Sequence, residues 1–517
     1  WMLQGSGVEA GFERALLRER AGDALYAWLD PAGGRWDAAL DGSQTPAVAL
    51  PGLPAIVVGS NGAVAWGFTN AYGQWFDWIK LPKEVAAGTL HQVDERIEVK
   101  GGEAVTLAVQ ALDSAPVVRQ HDGQAYALRW IAHQGEAFNL ALDGLLQARS
   151  VEEATAIAQR SGMPHQNIVI ADRSGHIAWT IAGKLWAEPA MAQRHARFQP
   201  PDTPPHGWLA PADYPRLADP ANGQLWTANN RQLGGAAGGA LIGDGGFDLG
   251  ARAQQIRDRL GETPRFDEAR LGALHHDDEA RFMQAWARRI ATVAARSPRH
   301  APVAELLAQW NGRADADQAG YRLARAVRLK TLDQLWAAWS TPLLGPMQAD
   351  PKRRMPWRNM FEYPATQALD QRPAHLLPPA FASWDALLLA QVDAAVQEMT
   401  QDGRRPLAQA AWGEANSSRI QHVLSRAVPV LARWLDMPQR PQSGDANLPH
   451  VAQPAFGQSQ RLVVSPGHEE QATLSMPGGQ SGHPMSPYYG AGHEAWVAGR
   501  ATPLLAGPAQ HRLGATP

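Results

Sequence analysis

Residues 51–77, PGLPAIVVGSNGAVAWGFTNAYGQWFD, hold two short apolar runs, 55–59 and 63–67, separated only by Ser60-Asn61-Gly62. An Asn-Gly step between β-rich runs closes a tight turn, because both residues tolerate a positive φ. The chain is thereby committed to an antiparallel pair at this point. The second run leads into Thr69-Asn70, whose backbone is not evidently tied into a ladder. A main-chain N–H just past a strand can serve as an oxyanion donor, although an ordinary core hairpin explains the same pattern.

Strand patterns continue at 96–100, 105–109, 117–119 and 125–131, divided by Gly- and Asp-containing turns. Helices are expected over 138–148 and 151–159, the second capped by Ser150. A second hairpin, 167–171 with 176–181, turns at Asp172-Arg173-Ser174-Gly175, and 224–227 reads as a short strand. The stretch 249–260 places Leu249, Ala253, Ile256 and Leu260 on one helical face. Helical patterns then dominate 266–435, as in 279–295 and 322–339, interrupted by Pro-rich loops at 341–356 and 373–379. Before the hairpin, 11–29 reads as an amphipathic helix with Leu16, Leu17, Leu25 and Trp28, ended by Asp30-Pro31-Ala32-Gly33-Gly34. Strand-rich ends around a helical middle predict an α+β protein. Its expected divisions are 1–260 as the first part of the core, 261–437 as a helical insertion, and 438–517 completing the core.

Charge excludes one class of partner. With 47 basic and 50 acidic residues, the net charge of −3 leaves no electrostatic footprint for nucleic acid. No apolar run approaches 18 residues, so no membrane-spanning helix is expected. Cysteine is absent, which removes disulfides, thiolate metal sites and thiol nucleophiles. The opening WMLQGSGVEAGFERALLRER has no basic segment followed by an apolar one, hence no signal peptide pattern, and Trp1 in place of Met suggests a processed or trimmed chain. Twenty tryptophans supply aromatic area for a large core or an apolar pocket.

Four blocks, in order, carry a family likeness. They are PGLPAIVVGSNGAVAWGFTN; PHQNIVIADRSGHIAW; QLWTANNRQ followed by FDLGARAQQIRDRL; and FGQSQRLVV followed by MPGGQSGHPMSPYYGAGHEAWVAGRATPLL. Together they resemble the mature β subunit of the penicillin acylase family, over residues 45 to 517. That family belongs to the N-terminal-nucleophile hydrolases and includes penicillin, cephalosporin and acyl-homoserine-lactone acylases. The resemblance implies a four-layer αββα sandwich with a long helical insertion. It implies cleavage of an N-acyl amide by an N-terminal Ser whose own α-amino group is the base. Family β subunits open Ser-Asn-x-Trp, so Trp1 corresponds to that Trp and the nucleophile to a serine three residues upstream. The His/Gln-containing segment that follows in the family is not recognisable before residue 45.

The same likeness implies that Asn229 and the main chain of Asn70 bind the oxyanion, and that Arg252, 23 residues after Asn229, orients the site. A neutral carboxamide suits the role because it stabilises developing charge without ionising. On pattern alone, Asn229 is equally explained by turn chemistry and Arg252 by a surface ion pair. Tyr72, Trp75 and Trp66 are candidate walls for an apolar acyl group, beside Phe76 and Trp78. Asp77 matches one carboxylate of the family's calcium site, while Gln74 stands where another is expected, so a structural calcium is the one metal in view. An α subunit from the same precursor and a periplasmic location are also implied. Two further motifs invite weaker readings. His275-His276-Asp277-Asp278 looks like a metal cluster but lacks helical ligand spacing, so packing is expected, and Gly478-Gly479-Gln480-Ser481-Gly482 is not a complete nucleophile elbow. The alternative function is a non-catalytic homologue that keeps the fold for binding.

Overall fold

The computed structural model describes residues 8–29, 48–49, 56–85, 88–187, 196–204, 206–263, 265–344, 359–479 and 481–505. Trp1, the stretch 51–55 and Gln480 lie outside them.

The first hairpin forms from β2 (Ile56–Ser60) and β3 (Val64–Asn70), with β1 (Val48–Ala49) on its outer edge. Its turn is built by a side chain. Asn61 Oδ1 accepts the N–H groups of Ala63 and Val64, each at 2.8 Å, and its amide donates to the carbonyls of Leu145 and Ala148, each at 2.8 Å. Of the pair, only Gly62 has a positive φ, 82°. The tight turn at Asn61-Gly62 is present, and it is held as an Asx-type turn by the Asn61 side chain.

Strands β4 (Phe76–Lys80), β5 (His91–Ile97), β6 (Val105–Leu112), β7 (Ala115–His121) and β8 (Gln124–Trp130) form an antiparallel sheet in the order β4-β8-β7-β6-β5. The second hairpin, β9 (Gln166–Asp172) and β10 (Ile177–Ala182), joins β3 in the other sheet. With the short pair β11 (Trp186–Ala187) and β12 (Gly207–Trp208) placed apart, β13 (Arg216–Ala218) closes the order β1-β2-β3-β9-β10-β13. The helices are α1 (Val8–Leu29), α2 (Val151–Arg160), α3 (Gly235–Ile242), α4 (Ala251–Gly261) and α5 (Glu268–Leu274), then a helical half with α6 (Arg281–Ala294), α7 (Ala301–Ala308), α8 (Ala319–Leu344), α9 (Glu362–Gln371) and α10 (Trp384–Met399).

Layering follows from strand alternation. Val64, Trp66, Ile168 and Ile170 bury against Ala154 and Ala158 of α2, whose N-cap Ser150 accepts from the Glu153 N–H at 3.2 Å. On the opposite face Ala65 meets Val464 and Ala472, at the base of a hairpin formed by Arg461–Val463 and Thr473–Ser475. Beyond that layer, Trp226 and Ala228 pack on Ala253 and Leu260 of α4, with Leu271 and Leu274 of α5 alongside. The sequence of layers is helix, sheet, strand, helix, and the α+β class holds. The helical half has a continuous core with α1: Phe12, Leu16 and Leu17 share it with Trp286, Leu335 and Phe361.

Four local expectations fail: the strand expected at 96–100 runs instead over His91–Ile97, Thr69 and Asn70 pair with Asn167 and Gln166 in the ladder of β3 with β9, and two further segments take other forms. The stretch 138–148 forms short 3-10 turns, including Ala141–Leu146, because Asn139 Oδ1 takes the N–H of Ala141 and of Gly162, both at 2.9 Å. Residues 224–227 are extended but form no named strand; Gln224 is tied by its side-chain amide to the Leu260 carbonyl at 2.9 Å. No helix among the described residues is long and apolar enough to cross a membrane.

Candidate functional site

β3 ends where it meets the extended segment that leads to Asn229. The hydroxyls of Thr69 and Thr227 lie 2.5 Å apart, and Thr69 Oγ1 donates to the Ala228 carbonyl at 3.1 Å. These bonds bring Asn229 onto the strand end, where its Nδ2 donates to the Asn70 carbonyl at 3.2 Å. Arg252, in the first turn of α4, donates to Asn229 Oδ1 at 2.6 Å. A guanidinium only donates, so it fixes which end of the carboxamide is oxygen. The Nδ2 end therefore faces Asn70. One of its two N–H bonds is engaged there, and the other has no acceptor among the described residues.

The main chain at Asn70 faces the same way. Ala71 donates its N–H to His165 at the start of β9, 3.1 Å away. Successive residues of a strand direct their N–H and C=O to opposite sides, so those of Asn70 turn away from β9 and toward Asn229. The Asn70 side chain is held separately, accepting from Gln166 Nε2 at 2.8 Å. Asn70, Asn229 and Arg252 are thus one connected cluster. Asn230 is not part of it: its side chain exchanges bonds with Arg231 and Gln232.

The sequence reading missed two supports. Asp248, four residues before Arg252, accepts from its Nη2 at 3.3 Å, and the Asp248 N–H returns to the Asn229 carbonyl at 2.9 Å. Asn359, just before α9, donates to the other Asp248 oxygen at 2.7 Å. Burial pushes the Asp248 carboxyl above its ordinary range, against the pull of Arg252 and of the Asn359 amide. Asp248 lies ahead of α4, outside any helical pattern, so no helical-face signal marked it in the sequence. Nothing local marked Asn359, which arrives from 111 residues away.

The aromatic candidates separate. Trp75 is buried, donates from Nε1 to the Ala71 carbonyl at 2.9 Å, and stacks on His165 with ring centres 3.8 Å apart. With Asn70, Trp130, Phe138, Met163 and His165 it lines a cavity of about 180 Å³. Burial drives the His165 imidazole down to about 4, so this ring carries no charge near neutrality. Tyr72 lies beside the Asn70 side chain, Arg252 and Asp248, and burial raises its phenol. Its carbonyl takes the Gly245 N–H at 2.8 Å; a Cβ at 245 would stand 2.0 Å from the Gly73 oxygen, so only glycine allows this approach. Trp66 does not reach the cavity. It is sealed between β3 and α2, with Nε1 donating to the Val57 carbonyl at 3.1 Å. Phe76 and Trp78 likewise belong to the core around α1.

Asp77 is buried, with Oδ2 2.8 Å from His206 Nε2 and Oδ1 accepting from Gln74 Nε2 at 3.3 Å. Trp186 stacks on the His206 ring at 4.1 Å. A calcium ion needs several hard oxygen ligands. An imidazole and an amide N–H take that place here, and no three His, Asp or Glu side chains gather as metal ligands among the described residues. No step is assigned to a calcium ion at Asp77. Among the described residues no side-chain hydroxyl hydrogen-bonds Asn229 or Arg252 either.

The penicillin amidase family model matches residues 46–512. The chain is 25% identical to penicillin acylase 2 proenzyme of Pseudomonas sp. (strain SE83), over 93% of this chain and 63% of that protein. It is 25% identical to acyl-homoserine lactone acylase QuiP of Pseudomonas aeruginosa, over 88% of this chain and 61% of that protein. The chain thus spans less than two thirds of the length of these curated relatives. Among solved structures, thermostable penicillin G acylase from Alcaligenes faecalis superposes with a TM-score of 0.60 at 16% identity, covering 94% of this chain and 96% of that one. That likeness shows a shared fold, that of the N-terminal-nucleophile hydrolases.

Proposed function

The chain belongs to the penicillin amidase family, and from that premise we propose that it forms the oxyanion-binding body of an acyl-amide hydrolase. The observation that carries this reading is the convergence of the Asn229 carboxamide, held by Arg252, on the outward main chain of Asn70. A carbonyl oxygen seated between the second Asn229 N–H and the Asn70 N–H would gain charge as a nucleophile adds to its carbon. Fixed donors stabilise that charge without reorganising. In this proposal the nucleophile is the N-terminal serine of the processed protein, ahead of Trp1. Its α-amine, with an ordinary pKa of about 7.7–8.0, takes the hydroxyl proton and passes it to the leaving amine. Water then hydrolyses the acyl-enzyme to a carboxylic acid.

The cavity beside Asn70 would take the acyl group between Trp75, Trp130 and Phe138. Substrates in keeping with the names of these relatives are N-acyl homoserine lactones and the side-chain amides of β-lactams. An α subunit cut from the same precursor and a periplasmic location complete the proposal. One observation favours the second reading, a non-catalytic homologue: the family model leaves residues 1–45 unmatched.

The test is to express the full natural precursor, sequence the mature N-terminus, and assay phenylacetyl and long-chain acyl amides. The expected result is an N-terminal serine, turnover of at least one amide, and a loss in kcat of about 10²–10³ in Asn229→Ala. Wild-type activity in that variant would remove the oxyanion role. No turnover at all from a processed protein would leave the binding protein.

A further inference from the structure

Away from this site, the motif His275-His276 reappears with a different meaning. α5 ends at Leu274, so the two histidines project from the turn that follows. They meet His450 and Arg461, the first residue of the C-terminal hairpin; the His276 and His450 rings lie 5.3 Å apart. Arg461 is 4% exposed, yet it pairs with no carboxylate among the described residues. Its Nε donates to Gln458 Oε1 at 2.5 Å, one terminal nitrogen donates to the Trp496 carbonyl, and the other lies 3.3 Å from His450 Nε2. The guanidinium also lies over the Trp496 ring, 4.8 Å from its centre. Every partner is neutral, and a buried charge without a counter-charge is costly.

The neighbouring imidazoles are unsatisfied in a complementary way. Among the described residues the ring nitrogens of His275 and His276 make no hydrogen bond, and His450 Nδ1 is buried without a partner. Arg461, His275 and His276 line a cavity of about 560 Å³, with the side chains of Thr473 and Ser475 also on its wall. Carboxylates stand there too, but both are engaged: Asp267 accepts from the Arg270 N–H at 2.8 Å and Glu268 from the Ser465 hydroxyl. Asp277, close by, is held by Arg259 and Gln255.

We propose that this cavity binds a small oxyanion, a carboxylate or a phosphate group, on Arg461 and the His276 ring. The anion supplies the counter-charge that Arg461 lacks, through a charge-assisted hydrogen bond from a free guanidinium N–H. His276 donates the second bond. Among the described residues no set of metal ligands gathers there. The site is separate from the Asn229 cluster, so it stands or falls independently of the acylase reading.

The experiment is equilibrium dialysis of the intact protein with radiolabelled inorganic phosphate, and in parallel with labelled acetate, at constant ionic strength set by chloride. Saturable binding of one anion per chain is expected. Arg461→Met should weaken it at least about tenfold, and Asn229→Ala should leave it unchanged. Should Arg461→Met fail to fold, His276→Leu, on the cavity wall, is expected to weaken binding several-fold. Saturation by phosphate alone identifies a phosphate group, and by acetate as well a carboxylate. Binding that does not saturate, or that a folded Arg461→Met or His276→Leu variant retains in full, overturns the proposal.

Discussion

Asp248 shows how much of this site depends on a group that touches no reacting atom. Its carboxylate joins Arg252 to Asn359, and Arg252 in turn fixes the Asn229 amide. Asp248→Asn keeps the size but removes the charge that holds the guanidinium. Its expected effect is a fall in kcat of about tenfold with KM nearly unchanged, because the proposed oxyanion donors would act mainly on the transition state. A rise in KM at constant kcat would show that Asp248 serves substrate binding instead. Asp77 answers to a different test. His206→Ala removes the imidazole that lies 2.8 Å from this sealed carboxylate and should cost about 1–3 kcal/mol in denaturant unfolding. Chelation should leave the midpoint where it is; a drop on adding chelator would place a cation there after all.

The two hairpins of the central sheet show turns made by side chains as much as by backbone preference. Asn61 ties its own turn to the 3-10 segment before α2, and Asp172 does similar work in the next hairpin, accepting from the Ser174 N–H at 2.9 Å. Asn61→Ala removes two acceptor bonds within the turn and two donor bonds across to Leu145 and Ala148. The expected loss is about 2–4 kcal/mol, measured as a shift in denaturant midpoint with an unchanged slope. A loss within a few tenths would mean that the surrounding packing alone sets the turn. The same elements show what periodicity can reveal. The apolar alternation of β3 and β9 was legible because one face is buried against α2. The 3-10 turns at Ala141–Leu146 were not, since their apolar residues fit a helix equally well and Asn139 made the choice.

Across the molecule, burial suppresses the proton affinity of several imidazoles: His165, His275 and His276 are driven down to about 4, and His450 to about 3. Arg461 adds to the depression at the last three. A histidine whose folded pKa lies below its unfolded value contributes stability above the unfolded pKa and loses it as the pH falls. Between about pH 6.5 and 4 protonation of these rings should cost stability, most at the fully buried His165 and less at the partly exposed His276. Denaturant unfolding without added oxyanions should therefore weaken steeply through that window, and His276→Leu should flatten the slope. Stability that is level across it would mean the rings are solvated in solution.

What the amino-acid order determined by itself was the local grammar: the Asn61-Gly62 turn, the strand faces, the helical middle, and the family blocks containing Asn70, Asn229 and Arg252. These are short-range features, and their signals lie within a few residues of one another. Tertiary structure decided which side chains share a space. It sent Trp75 to a cavity and Trp66 to the core, placed His206 against Asp77, brought Asn359 to Asp248, and set His450 against both His276 and Arg461. Such meetings join residues far apart in sequence. They arise because burying a whole sheet face carries every attached polar group along, and each must then find whatever partner the packing leaves within reach.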